Sequence, residues 1–277
     1  MFHNELIILS ENSKNNWISN FICIEKGVKN VCCLTKVGRV RRSKTFLSGN
    51  MFIYLDTETT GVEDHDRLCQ IAYKMDTGNL VNELFRPPVP ISIGAMKTHH
   101  ITEKMVADKP AFNGSQTQTD LVTLLQNSEN VLIAHNAQFD TSMLNKEGVA
   151  TPRVICTLKL IRFLDTEGEI PEHNLQYLRY YYGMEINAKA HDALGDILVM
   201  EQLFLLIWGK FIEAYPQETI VQEMIRITNA PVLFPIMPIG KHKGLHFRDV
   251  PKDYLQWMVG RDFDGDLLYT AEYYMNN

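Results

Sequence analysis

What this 277-residue chain lacks narrows the field first. No run approaches the roughly 18 consecutive apolar residues of a membrane-spanning helix, so no membrane partner is expected. The N-terminus carries no basic-then-apolar export pattern, because Glu5 comes early and the apolar stretch ELIIL is short. Without an export route, the five cysteines read as reduced thiols of a cytoplasmic protein. Cys23, Cys32 and Cys33 lack the paired CxxC spacing of a zinc site, Cys69 falls in an expected strand, and Cys156 ends or follows another. Neither a disulfide framework nor zinc is expected. There is no internal repeat, no low-complexity tract, no glutamine-rich tail and no obvious tethering segment. An apolar share of 45% and a charged share of 22% are those of an ordinary globular protein. The length suffices for one sizeable domain and a smaller appendage.

An excess of positive charge is also missing. The net charge is −6, and it is unevenly spread. Residues 1–50 hold eight Lys/Arg against three Asp/Glu, or +5; the remainder holds 19 against 30, or −11. A broad, basic nucleic-acid-coating surface is therefore excluded for the body of the chain. An acidic centre that holds divalent cations accounts for part of the deficit.

Residues 1–50 form a poorly defined basic N-terminal extension, in which neither a 3.6 nor a 2.0 period persists and KVGRVRRSK reads as a loop. Two readings fit: an extension or upstream sequence ahead of a start at Met51, or a basic arm that touches nucleic acid. From Met51 the pattern sharpens. FIYL predicts a buried strand ending at the first acid, and RLCQIAYKMD and NLVNELFR predict two more, joined by a turn at Asp76–Asn79. A Pro-rich crossing, a short helix capped by Thr102 and a helix near 116–126 follow. VLIA (131–134) predicts a strand running into a helix that carries Phe139, Met143 and Leu144 and stops at Gly148. VIC (154–156) is a fifth strand, and helices are expected near 157–164, 174–182 and 192–208. The expected fold is α/β, a mixed five-stranded sheet flanked by helices, over residues 51–208. Residues 209–230 read as a helical connector and 231–277 as a small C-terminal module, with a glycine-punctuated basic turn, a strand-like LHF and a helix carrying Tyr254, Leu255, Trp257 and Met258. At this size the module is expected to pack on the main domain.

Three acidic frames dominate the chemistry: FIYLDTETTG with Asp56 and Glu58, IAHNAQFDTSML with Asp140, and HDALGD with His191 and Asp196. Residues two apart on a strand face the same way, so Asp56 and Glu58 form a pair. Asp140 and Asp196 each sit early in a helix from which they reach the same point. Four clustered carboxylates repel one another unless cations neutralise them. Hydrolysis of a phosphodiester needs an activated water, neutralised phosphate charge and a stabilised leaving oxygen, all of which two divalent ions supply. His191, at or just before its helix, has the ordinary pKa of a general base near neutrality. Taken singly, each residue has a plainer reading: Asp56 as a strand-end cap, Asp196 as a first-turn acid on a helix dipole, His191 as a helix cap.

Residues 51–208 resemble the DEDD-type 3′–5′ exonucleases of the histidine subclass, the family of polymerase proofreading subunits, ribonuclease T and exonuclease X. The family's DxExTG is present as Asp56-Thr57-Glu58-Thr59-Thr60-Gly61, its HNxxFD as His135 to Asp140, and its histidine five before an aspartate as His191 and Asp196. VICTLKLIRFL, HNLQYLRYYYG and the tail motifs GKHKG and VPKDYLQWMV are similar to exonuclease X-like members. The resemblance implies a ribonuclease H-like fold, two Mg²⁺ or Mn²⁺ ions, and release of 5′-mononucleotides from 3′ ends. Metal ligation falls to Asp56, Glu58, Asp140 and Asp196, and proton removal to His191. One departure stands out: where many members carry His-Gly-Ile, with the histidine near the terminal nucleotide, this chain has His99-His100-Ile101.

Thr59 and Thr60 either offer backbone amides to a 3′-hydroxyl or build the turn. Phe139 is either core or a base-stacking platform, and His135 and Asn136 organise their loop. Lys241, Lys243 and Arg248 either contact phosphate or form a solvated turn. The expected function is metal-dependent 3′–5′ exonuclease action on DNA, most of all on single-stranded 3′ ends, in repair or proofreading. The alternatives are an RNA 3′-end trimmer, a polymerase-associated proofreading or adaptor subunit, and a noncatalytic relative.

Overall fold

In the computed structural model, which describes residues 7–11, 17–21, 50–186 and 192–277, β1 (Ile7–Glu11) and β2 (Trp17–Phe21) form an antiparallel hairpin of their own. A five-stranded sheet follows. β3 (Met51–Thr59), β4 (Leu68–Met75) and β5 (Leu80–Leu84) make an antiparallel meander. After α1 (Ile93–His99), α2 (Glu103–Val106) and α3 (Gln116–Gln126), β6 (Asn130–Ala134) joins β3 in parallel. α4 (Ala137–Lys146) leads to β7 (Val154–Cys156), parallel to β6, so the order is β5-β4-β3-β6-β7. α5 (Thr157–Leu164), α6 (Leu175–Tyr181), α7 (Ala193–Ala214) and α8 (Ile220–Thr228) complete the body. α9 (Lys252–Val259) and α10 (Gly265–Asn276) belong to the C-terminal part. The mixed five-stranded sheet flanked by helices is the ribonuclease H-like arrangement expected above. His191, Cys23, Cys32, Cys33 and the KVGRVRRSK stretch lie outside the described residues. Among the described residues, no helix is long and apolar enough to cross a membrane.

The two-residue period of β3 divides the core. Phe52 and Tyr54 face α5–α8, whereas Ile53 and Leu55 face α3 and α4. Each such buried side chain stabilises the fold by about 1.5–3 kcal/mol. Phe52 meets Phe204 edge-on at 5.1 Å and Trp208 at 5.8 Å, and Tyr54 meets Phe204 at 5.9 Å. These contacts align α7 antiparallel to β3. Eight helical residues from Phe204 back to Asp196 rise about 12 Å, and four strand residues from Phe52 to Asp56 rise about 13 Å. The matched lengths bring Asp196 over Asp56. Lys74 of β4 pairs with Glu201 of α7 and clamps the same helix sideways.

Several local expectations need correction. β3 does not end at Asp56; it pairs with β4 through Glu58, with a register shift before Thr59. α7 runs past residue 208 to Ala214, because Ile207, Trp208 and Phe211 continue the same buried stripe. α1 and α10 were not anticipated: Ser92 Oγ caps the first and the Asp264 carboxylate caps the second. Thr102 precedes α2, but its side chain makes no capping bond. LHF is not a strand; a single bridge joins Ile236 to His246, and the chain then turns into a 3₁₀ turn that buries Phe247.

Residues from Phe234 to Met275 have their own apolar cluster, including Met237, Phe247, Leu255, Met258 and Leu267. This part docks on α5: Asp266 pairs with Lys159 and Arg162, and accepts the Val232 amide at 3.0 Å. Phe234 also lies under the Arg162 guanidinium, 4.7 Å from it.

Candidate active site

β6 pairs with β3 only over Met51–Tyr54, so Asp56–Thr59 overhang with one edge free of strand partners. Asp56 and Glu58 point from this overhang toward α7. Asp196, in the first turn of α7, completes a set in which one carboxylate oxygen of each residue lies within 4.8 Å of the others. Asp140 arrives from the other direction. β6 ends, Asn136 turns the chain with φ 62°, and α4 presents Ala137, Asp140, Met143 and Leu144 on its buried face. Asp140 stands outside the tight three-carboxylate set. Its Oδ1 accepts both the Thr57 amide (3.0 Å) and the Thr57 hydroxyl (2.7 Å), which closes the overhanging edge.

The charges resist one another. Burial, then Asp140, Glu58, Asp196 and Asp192, push the Asp56 pKa well above its ordinary value. Burial followed by Asp196, Asp140 and Asp192 pushes Glu58 up to about 8. Burial raises Asp140 to about 7 against the opposing Thr57 hydrogen bonds. Such a cluster holds protons, or in their place cations. The donors are hard carboxylate oxygens with no sulfur or imidazole among the three, the chemistry suited to Mg²⁺ or Mn²⁺. The residues fit a divalent-metal site.

Sequence reading missed the polar residues around these acids. Gln176 Nε2, on α6, donates to Asp196 Oδ1 at 2.5 Å. Gln70, opposite Glu58 on β4, donates to Asn82 at 2.9 Å and reaches Asp192 at 3.4 Å. Asp192 is a fifth acid acting on Asp56 and Glu58. Its place in HDALGD was the one signal available.

The remaining predicted residues are held as follows. Thr60 is fully buried; its amide donates to the Arg67 carbonyl (2.9 Å) and its hydroxyl to Asp66 (2.6 Å). The Thr59 hydroxyl donates to the Gly61 carbonyl (2.7 Å). Both side chains are thus engaged in the turn. Gly61 is needed there, since a Cβ would lie 2.4 Å from Asp66 Oδ2. His99 is buried, with its Nδ1 accepting the Ile101 amide (2.9 Å), which leaves Nε2–H to donate to the Thr59 carbonyl (3.1 Å). The ring braces the end of β3, and hydrogen bonding to a nucleotide would require one of these bonds to break. His100 ends α1 with φ 63°, the left-handed conformation that glycine adopts freely. His135 bridges the Thr157 hydroxyl and the His173 carbonyl, both at 2.9 Å, and burial lowers its pKa to about 4. Phe139 is half-buried beside Asp140. Lys241, Lys243 and Arg248 are exposed.

Comparisons with known proteins identify the family. The exonuclease family model matches residues 53–204, more than half of the chain. A second family model, named for quorum-sensing-regulated virulence factors, matches residues 228–269. The chain is similar to exodeoxyribonuclease 10 of Escherichia coli (strain K12), 30% identical over 242 residues that cover 82% of this chain and 100% of the relative. It is 27% identical over 234 residues to the DNA polymerase III epsilon subunit of Buchnera aphidicola subsp. Acyrthosiphon pisum (strain APS), covering 74% of this chain and 94% of that one. Among solved structures, exonuclease X in complex with 5′-overhanging duplex DNA aligns with a TM-score of 0.50 at 30% identity, covering 64% of this chain and 99% of that one. With its acid-bearing central strand, its converging carboxylates and these matches, the chain belongs to the exonuclease family, whose members are nucleases.

Proposed function

We propose that this protein is a metal-dependent 3′–5′ exonuclease that removes 5′-mononucleotides from DNA, with single-stranded 3′ ends as its substrate and repair or proofreading as its role. The observation that carries this reading is the convergence of Asp56, Glu58 and Asp196 within 4.8 Å, from two elements whose alignment the core enforces. The DNA named in the exonuclease X structure and the name of the Escherichia coli relative support the polymer.

In this reading Asp56, Glu58, Asp140 and Asp196 hold two Mg²⁺ or Mn²⁺ ions, which when bound neutralise phosphate charge, lower the pKa of a bound water and stabilise the leaving oxygen. Thr57 orients the Asp140 carboxylate and Gln176 orients that of Asp196. His191, five residues before Asp196, takes the proton from the attacking water. In-line displacement then frees the nucleotide. The proposed organisation is an extension (1–50), an exonuclease domain (51–208), a connector (209–230) and a C-terminal module (231–277), and the proposed location is the cytoplasm. The similarity to a polymerase III epsilon subunit favours one second reading, in which the chain acts as a proofreading subunit through a polymerase.

Matched 3′- and 5′-labelled DNA and RNA strands, incubated with Mg²⁺ or EDTA, test the proposal. Wild type should shorten DNA stepwise from the 3′ end only with metal, and Asp56→Ala should be inactive while keeping its circular dichroism spectrum. Wild-type activity in Asp56→Ala would sink the mechanism. Faster loss of RNA would reassign the polymer, and activity only with an added polymerase would favour the second reading.

A further inference from the structure

The C-terminal part carries exposed charges of both signs, with Asp249, Asp253, Asp262 and Glu272 among the acids that face solvent. Two further acids, Asp264 and Asp266, are turned toward the body, where they pair with Arg162 and Lys159 of α5. The exposed cations Lys241, Lys243 and Arg261 make no ion pair among the described residues. Two of these cations sit on aromatic rings. Lys241 Nζ lies 5.7 Å from the centre of the Tyr254 ring, and the Arg261 guanidinium lies 5.5 Å from Trp257. The Tyr254 and Trp257 rings are themselves 5.2 Å apart, and Trp257 is 46% exposed.

This surface is built rather than incidental. The turn carrying Lys241 and Lys243 folds back on Tyr254 through Gly240, whose φ is 72°. A Cβ at Gly240 would lie 2.4 Å from the Tyr254 hydroxyl oxygen, so the close approach depends on glycine. A large exposed indole next to cations that make no ion pair offers stacking and phosphate contact together to a polyanion carrying flat, stackable rings. Duplex bases are stacked on one another and offer no free face, whereas an unpaired strand does.

We infer that the Tyr254–Trp257 face with Lys241, Lys243 and Arg261 is a second binding site, separate from the carboxylate cluster, that holds single-stranded DNA by base stacking and phosphate contact. This inference rests on the nuclease reading of the same chain and gives the C-terminal part a task in it: retaining the strand while its end is processed.

The test uses the full chain and 5′-fluorescein-labelled oligo(dT), with binding followed by anisotropy in EDTA so that hydrolysis does not intervene. Trp257→Ala should weaken binding about 5-fold or more, the effect of losing one stacked base, while Trp257→Phe retains most of it. Lys241→Ala and Lys243→Ala should each flatten the plot of log Kd against log salt by about 0.7. Cleavage of the p-nitrophenyl ester of thymidine 5′-phosphate, too small to span both sites, should be unchanged in all of them, and matching thermal melts confirm folding. Unchanged Kd and salt slope in every variant would overturn the second site and leave the face to a protein partner or to none. If wild type fails to cleave both ester and strand with Mg²⁺, the nuclease reading fails instead, and the binding curves report that separately.

Discussion

Thr57 donates twice to one oxygen of Asp140, through its amide and its hydroxyl, and so ties the overhanging end of β3 to the first turn of α4. The acids at positions 56 and 58 face one side of the strand; the residue between them faces the other and fixes a third acid. Alternation along one strand thereby serves both walls of the site.

Removing the hydroxyl should expose this dependence. Thr57→Val leaves the amide bond in place but strips a buried, charge-assisted hydrogen bond, worth about 1.5–3 kcal/mol. A lower Tm and slower hydrolysis are expected, with Thr57→Ser restoring both. Equal Tm values for the valine and wild-type proteins would show that the amide alone holds Asp140.

Gln176→Leu should remove the hydrogen bond that Gln176 donates to Asp196 Oδ1. Partners that orient metal ligands typically matter by 10–100-fold in affinity or activity. The Mg²⁺ concentration for half-maximal rate should therefore rise by about that factor, with little change in metal-free Tm. An unshifted Mg²⁺ titration would show that Gln176 does not orient Asp196 for metal.

The cluster also sets a pH dependence of stability. Glu58 is raised from 4.5 to about 8 in the fold, so between those values the folded form keeps a proton that the unfolded form releases. Stability without metal must then fall as pH rises through this window, and Asp56 and Asp140 act in the same direction. Added Mg²⁺ should raise Tm more at the alkaline end than at the acid end, and Glu58→Gln should flatten the metal-free curve. A metal-free Tm that climbs across the window would contradict the crowding of these acids.

His100→Gly should stabilise the protein. The left-handed conformation costs an L-residue roughly 1–2 kcal/mol, and His100 adopts it at the end of α1. Allowing for the greater freedom of unfolded glycine, a gain of about 1 kcal/mol, or about 2–4 °C in Tm, is expected. A drop would mean that the imidazole makes compensating contacts.

Much of the site could be read in one dimension because its signals are local. The two-residue spacing of Asp56 and Glu58 assigns them to one face of any strand, and the five-residue step from His191 to Asp196 matches the third motif that the family resemblance implies. The end of β3 was misjudged because Asp56 and Glu58 look like the polar limit of a strand; only the pairing with β4 carries it to Thr59. The LHF segment has strand-like composition but finds no partner beyond the single bridge to Ile236, so burial of Phe247 in a 3₁₀ turn prevails.

By itself the sequence determined which residues are acids, that Asp56 and Glu58 share one face of their strand, and the order of the five sheet strands with the helices α2 to α7, since all of these follow from spacing along one chain. Tertiary structure alone decided that Asp140 hangs on Thr57 across 83 residues, that Gln176 holds Asp196, that both nitrogens of His99 are committed to backbone, and that Asp266 draws the C-terminal part onto α5. Those relationships depend on the sheet's pairing and on aromatic packing that matches the length of α7 to that of β3, and neither is encoded in any short stretch of residues.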